Sequence, residues 1–310
     1  MRKTETVTSA QNPKIKELLT LQEKSRLRRE RGLFIVEGRR ELGHCIEAGY
    51  RVRTIFVCQE IIPDTEAEAI IRKAEAVLHE YHDGHRQAHG ETQETDALQK
   101  HPEYTGRKGQ SDGLLVIDIP SALYDKIAYR GGTEGIIAEV EWKDLSLDGL
   151  HLTGNPLIMV LESVEKPGNL GAVLRSADAA GADAVIICDP LTDLYNPNLI
   201  RASIGAVFTT RTVVSTSEET IGWLKSHGIR ILTAQLQDSR PYYDTDMTCG
   251  TAIVMGTEST GLTDIWRENA DAHIRIPMLG RLDSLNVSVS AAILLYEAVR
   301  QRKSADIMLE

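Results

Sequence analysis

Residues 274–302 read IRIPMLGRLDSLNVSVSAAILLYEAVRQR. The segment opens as a short apolar strand, Ile274–Pro277, passes through a glycine-bearing polar loop, Met278–Asn286, and continues as a helix to Arg302. The helix is set by its period. Val287, Ala291, Leu294, Leu295 and Ala298 recur at three- and four-residue steps, the spacing that lines one helical face. Ser284 or Asn286 can cap it, because a short polar side chain accepts hydrogen bonds from the first unpartnered backbone N–H groups. A strand whose loop opens a helix forms the ligand-binding corner of an open α/β sheet. The same unit is also simply a capped βα element.

Two further stretches are alike in kind. ESVEKPGNLGAVLRSADAAG (Glu162–Gly181) follows the apolar run Leu157–Leu161, and MGTESTGL (Met255–Leu262) follows Ala252–Val254. Taken together, N-L-G-x-x-x-R, G-x-E-x-x-G-L and I-P-M…S-L-N-V-S-V resemble the three motifs of the SPOUT superfamily, specifically its TrmH/SpoU-type RNA ribose 2′-O-methyltransferases. They occur in family order between Asn155 and Arg302.

Length and composition agree with such an enzyme. At 310 residues the chain is long enough for two domains. Its 42% hydrophobic and 26% charged content is that of a soluble globular protein. No apolar run reaches the length of a membrane span, and MRKTETVTSAQ lacks a signal-peptide core. The expectation is a cytoplasmic protein with no membrane partner. Cys45, Cys58, Cys188 and Cys249 are far apart and form no C-x-x-C pair, so they read as free thiols.

The net charge of −10 argues against a nucleic-acid partner until its distribution is considered. From Lys14 to Arg40, nine basic residues face four glutamates, a local charge of +5. Phosphate binding is local and screened, so Arg26, Arg28, Arg29, Arg31, Arg39 and Arg40 are candidate RNA contacts. A solvated helix face is the plainer alternative.

Residues 1–145 read as an α/β domain. Asn12–Pro13 opens a helix whose basic continuation ends at Gly32. Strands Leu33–Val36, Val52–Val57, Leu114–Ile119 and Gly135–Trp142 alternate with helices Arg39–Ala48, Asp64–Leu78 and Ser121–Ala128. His79, His82, His85 and His89 invite a metal reading, but Gly84 is expected to interrupt their helix, and no metal is assigned. The stretch GLFIVEGRREL (32–42) resembles the small α/β RNA-binding domain that precedes many ribose methyltransferase domains. Lys143–Asn155 reads as a linker.

Residues 155–310 read as the second domain. Strands at Leu157–Leu161, Ala184–Cys188, Thr212–Val214, Arg230–Thr233, Thr251–Met255 and Ile274–Ile276 alternate with helices, which implies a parallel sheet covered on both faces. The resemblance alone implies a trefoil knot and a homodimer packed through this domain.

It also implies S-adenosyl-L-methionine as the methyl donor and RNA as the substrate, ribosomal RNA before tRNA. Donor-binding positions carried over are Gly256, Ile276 and Leu285, with Met278, Leu279 and Gly280 nearby. The catalytic set is Arg175, Asn169, Glu258, Ser284 and Asn286. The resemblance leaves Arg175 as base or activator, and an arginine is a poor general base, since it keeps its proton. Arg175 can instead polarise the attacking hydroxyl, stabilise the alkoxide as it forms, or clamp a phosphate. Glu258 can orient Arg175 through a bidentate pair. No strand-following G-x-G-x-x-G and no G-x-x-x-x-G-K-[ST] occurs, which leaves a dinucleotide or triphosphate site without its signature.

Overall fold

A computed structural model describes residues 2–88, 113–129, 134–143, 145–152, 154–257, 259–282 and 284–307. The chain divides into two units, Met1–Lys143 with Tyr195–Pro197, and Asp144–Leu194 with Asn198–Glu310.

In the first unit β1 (Lys3–Thr6) leads to α1 (Pro13–Glu23), α2 (Ser25–Arg31), β2 (Leu33–Glu37) and α3 (Arg39–Glu47). Then come β3 (Val52–Val57), α4 (Asp64–Ala88), β4 (Leu115–Asp118), α5 (Ser121–Ile127) and β5 (Ile136–Glu141). Asn12 caps α1 by accepting from the Lys14 amide at 2.9 Å, with Pro13 at the first helical position. Ile15, Leu18 and Leu21 on α1 pack over Ile35, Phe56, Ile117 and Ile137 of the sheet. The sheet order is β1-β4-β3-β5-β2. The pairs β1/β4 and β4/β3 are parallel, whereas β5 is antiparallel to both β3 and β2.

Two expectations change here. α4 runs through Gly84 to Ala88 instead of ending near Leu78. A single helical glycine costs only about 1 kcal/mol relative to alanine, too little to stop a long helix. The expected His ladder lies partly on it, with His89 outside the described residues. The basic run is two helices, not one, with Lys24 extended between them.

The second unit contains β6 (Leu157–Glu162), α6 (Pro167–Ala179), β7 (Ala184–Cys188), α7 (Pro197–Ser203), α8 (Ala206–Thr209) and β8 (Thr212–Ser215). It continues with α9 (Ser217–Ser226), β9 (Arg230–Ala234), β10 (Arg240–Pro241), β11 (Thr251–Met255), α10 (Asp264–Asn269), β12 (Ala272–Arg275) and α11 (Val287–Ile307). Every strand pair is parallel, in the order β10-β12-β9-β11-β6-β7-β8. β6, β7 and β11 are buried at every residue, as a parallel sheet covered on both faces requires. Thr216 and Glu219 form a reciprocal capping box that starts α9, a feature worth about 1 kcal/mol.

Near the end of α11, Arg302 fastens the helix to the start of the sheet. Its guanidinium donates to the carbonyls of Asn155 (2.7 Å), Pro156 (3.1 Å), Met247 (3.0 Å) and Cys249 (2.8 Å). One side chain thus gathers four backbone carbonyls from the segments that lead into β6 and β11, two of which, Pro156 and Cys249, also accept from Thr251.

Candidate active site

Because the strands are parallel, the three motif loops leave one edge of the same sheet. Chain order runs outward from β6 through β7 and β8, then resumes at β9 on the other side, with β11 inserted against β6. The crevice between β6 and β11 is therefore a topological switch point, where open α/β sheets bind ligands.

Gly256 stands directly after β11. A Cβ there would lie 2.2 Å from the Gly261 carbonyl oxygen and 2.6 Å from the Leu262 amide nitrogen. The loop folds back on itself through the Thr257–Gly261 bridge, with Gly261 at φ 69°. Only a residue without a side chain permits that approach, which lets the loop close on itself directly after the strand. Thr257 braces the turn by accepting from the Thr260 amide at 3.0 Å. Glu258 lies outside the described residues.

The N-L-G motif forms the first turns of α6. Gly171 lies against α7, where a Cβ would meet the Ala202 Cβ at 2.6 Å and the Ser203 amide nitrogen at 2.7 Å. This contact leaves Arg175, one turn further on, on the exposed side of α6. Among the described residues the Arg175 side chain makes no hydrogen bond or ion pair.

The third motif meets the first. Asn286 Nδ2 donates to Asn169 Oδ1 at 3.1 Å. Asn286 Oδ1 accepts from the Ser288 amide at 3.0 Å and its hydroxyl at 2.6 Å. One side chain thus caps α11 and ties it to α6, the helix against which α11 packs. Ser284 and Leu285 are exposed on the preceding loop, as are Leu279 and Gly280, while Ile276 and Met278 are half-buried after β12. The structure joins Asn169 and Asn286 directly and puts Gly256, Ile276 and Met278 at the same sheet edge.

Two residues at this edge were not anticipated. Glu162 ends β6 at 3% exposure, accepting from the Thr263 amide at 2.9 Å and the Thr263 hydroxyl at 2.5 Å. It anchors the far end of the Gly256–Leu262 loop, and the signal was available: a carboxylate closing an otherwise apolar strand. Ser163 follows at φ 51°, a left-handed conformation that costs a non-glycine residue about 1–3 kcal/mol. Burial pushes the Cys188 thiol at the end of β7 up to about 12, which keeps it protonated and a poor nucleophile.

The basic segment of the first unit divides. Arg26, Arg29 and Arg31 are exposed, Arg26 pairing with Glu30 at 2.6 Å and Arg31 with Glu17 at 3.5 Å. Arg39 binds Glu66 and the more distant Glu134, and Arg40 lies 2.9 Å from Glu41. Arg28 does not belong with them. It is 1% exposed and donates to the carbonyls of Leu21 (2.5 Å) and Gln22 (3.0 Å) at the end of α1. It is a structural clamp, held away from any phosphate by the packing around it.

Comparison with known proteins agrees with this architecture. Residues 156–296 match the SpoU rRNA methylase family, and residues 12–82 match the MRM3-like substrate binding domain. A 23S rRNA (guanosine-2′-O-)-methyltransferase RlmB from Pseudomonas syringae pv. tomato is 36% identical over 182 residues, 56% of this chain and 73% of the relative. A crystal structure of an RNA 2′-O ribose methyltransferase is 34% identical, with TM-score 0.71 over 96% of this chain and 100% of the other. An AdoMet-bound rRNA methyltransferase from Sinorhizobium meliloti is 25% identical, with TM-score 0.78 over 96% and 98% of the two chains. The chain belongs to the SpoU family of RNA ribose 2′-O-methyltransferases.

Proposed function

We propose that this chain transfers a methyl group from S-adenosyl-L-methionine to a ribose 2′-hydroxyl of ribosomal RNA. The reading is carried by three motif loops converging on one sheet edge, two of them tied by Asn286 and Asn169. The bare turn at Gly256 suits a donor held by backbone amides in a narrow slot, with Ile276, Met278 and Leu285 as apolar neighbours. Ser284, Leu279 and Gly280 complete the third loop around it.

When bound, the donor supplies an electrophilic methyl on a sulfonium sulfur. Its transfer to a 2′-oxygen would leave a neutral thioether, with the hydroxyl proton passing to water. Arg175 polarises that hydroxyl and stabilises charge building on its oxygen. Asn169 and Asn286 hold the first turns of α6 and α11 in register, and Glu258 orients the guanidinium.

The first unit holds the RNA, through Arg26, Arg29, Arg31, Arg39 and Arg40. The path of β9, β11 and β12, with β11 inserted on one side of β9 and β12 on the other, supports a trefoil knot. Val289 and Tyr296 on α11 are about half exposed, and Leu279 and Leu282 are 98% and 79% exposed. This apolar face supports a homodimer through the second unit. No helix among the described residues is long and apolar enough to cross a membrane, and we place the enzyme in the cytoplasm with its RNA.

The test is to incubate the full chain with labelled donor and either unmodified ribosomal RNA or tRNA, then map 2′-O-methylation. A single methylated ribosomal nucleotide supports the proposal. Transfer to tRNA alone changes the substrate, and transfer to neither removes the function.

A further inference from the structure

A groove of about 460 Å³ opens on the first unit between α3 and α4, within the roughly 300–1,000 Å³ of small-ligand sites. Ile46, Ala69 and Ile70 supply its apolar lining, and Arg40 and Lys73 are among its polar residues. Gly43 also lines it, in the interior of α3. Its φ is not positive, and a Cβ built there meets nothing within 4 Å. Neither backbone geometry nor packing asks for glycine at Gly43, and glycine weakens a helix relative to alanine. A bulky side chain at this position would fill the groove, and glycine leaves it open.

The charge of the lining is opposite to that of the whole protein. Arg39, Arg40 and Lys73 face a single lining carboxylate, Glu66, on a chain of net charge −10. Arg39 is committed to Glu66 and Glu134. Lys73 pairs with Glu47 at 2.8 Å, both side chains more than half exposed. Such a pair is weak and readily exchanged for a phosphate. Arg40 is 58% exposed beside Glu41.

We propose that this groove receives one unstacked nucleotide of the RNA, its base against Ile46, Ala69 and Ile70 and its phosphate on Arg40 and Lys73. The inference rests on the RNA reading above and deepens it. A paired helix cannot enter, because its bases are stacked and their faces covered.

The test uses the full chain, labelled oligouridylate and oligoadenylate single strands, and a fully paired RNA duplex. Gly43→Trp fills the groove, while Gly43→Ala keeps it open and favours the helix. Ala69→Trp, at an exposed position of α4, fills it from the other wall and serves where Gly43→Trp does not fold. Expected are an about tenfold or greater loss of single-strand affinity in either Trp variant, an effect within about twofold for Gly43→Ala, unchanged duplex binding, and a retained melting temperature. Wild-type single-strand affinity in folded Trp variants overturns the groove assignment and leaves the methyltransferase reading standing. Equal loss of duplex affinity overturns it too, since the surface would then be reading backbone alone. A wild-type chain that binds neither RNA removes both proposals.

Discussion

Asn286 and Asn169, 117 positions apart, meet through a 3.1 Å hydrogen bond that ties the start of α11 to the first turns of α6. The same Asn286 side chain caps α11 through the Ser288 amide, so two functions can be separated by substitution. Asn286→Asp keeps the capping oxygen and loses the donor to Asn169. Asn286→Ala loses both, and the cap alone is worth about 0.5–2 kcal/mol. The expected outcome is a melting temperature lowered more by Ala than by Asp, with methyl transfer strongly reduced in both. Full activity in Asn286→Asp would show that the tie has no positioning role.

Arg28 and its basic neighbours should behave oppositely. Replacing Arg26, Arg29 and Arg31 by Gln removes exposed charge, so RNA affinity should fall less steeply with salt while the melting temperature holds. Arg28→Ala strands the carbonyls of Leu21 and Gln22 that its guanidinium satisfies. Hydrogen bonds to a charged group are worth about 1.5–3 kcal/mol, and the melting temperature should drop by several degrees. An Arg28 variant that melts normally but binds RNA weakly would return the residue to the RNA face.

Arg28 also marks where sequence reading ends. Its neighbours in the run are exposed, and nothing in local charge distinguishes it. Its burial follows from the break at Lys24, which turns α2 back toward the end of α1. The parallel sheet was legible because Leu157–Leu161, Ala184–Cys188 and Ala252–Met255 are uninterrupted apolar runs. β1 was not: Lys3–Thr6 is a mostly exposed, polar edge strand, and only pairing with β4 makes it a strand. Tyr195 was missed for a similar reason. Its ring stacks on Phe34 at 4.1 Å, and its hydroxyl donates to the Lys143 carbonyl at 2.9 Å. No local pattern announces a three-residue segment that belongs with the first unit. At the candidate site the glycines and asparagines were legible as motifs, but the contact between Asn169 and Asn286 needed the packed helices.

Gly256→Ala tests the donor site. Its Cβ would lie 2.2 Å from the Gly261 carbonyl oxygen, a distance backbone cannot absorb without opening the turn. Calorimetry should find S-adenosyl-L-methionine binding reduced at least tenfold, roughly 1.4 kcal/mol, in a protein that still unfolds cooperatively. Normal donor affinity would move the site away from this loop.

Glu139 offers a test of pH. Burial in β5 pushes its carboxyl up to about 7, against the opposing hydrogen bond from Thr54. Glu17 adds to the rise and Lys14 opposes it. The unfolded carboxyl ionises first, near 4.5, so stability falls as pH rises from there to about 7, and the loss persists above. Glu139→Gln removes the ionisation. It should stabilise the protein above pH 7, by up to about 3 kcal/mol, and much less near pH 4.5. Denaturant unfolding at both pH values checks this, and an equal effect at both would refute it.

Arg175 separates an enzyme from a binding protein. It is exposed on α6 and makes no ion pair among the described residues, so its removal leaves no buried carboxylate unpaired there. The several kcal/mol that breaking a buried pair costs does not arise from any such pair. Arg175→Ala should therefore melt within a few degrees of the wild type. If the guanidinium acts on the 2′-oxygen, its contribution is made mainly in the transition state, and ground-state binding should hardly register its loss. Donor affinity should stay within a few-fold while methyl transfer falls by at least about a hundredfold, the scale of removing one oxyanion-stabilising donor. Arg175→Lys keeps the charge but not the planar fork, and should recover little if orientation by Glu258 matters. Comparable rates in the Lys variant and the wild type would reduce the role of Arg175 to charge alone. Methyl transfer retained in a folded Arg175→Ala protein would remove it from the mechanism.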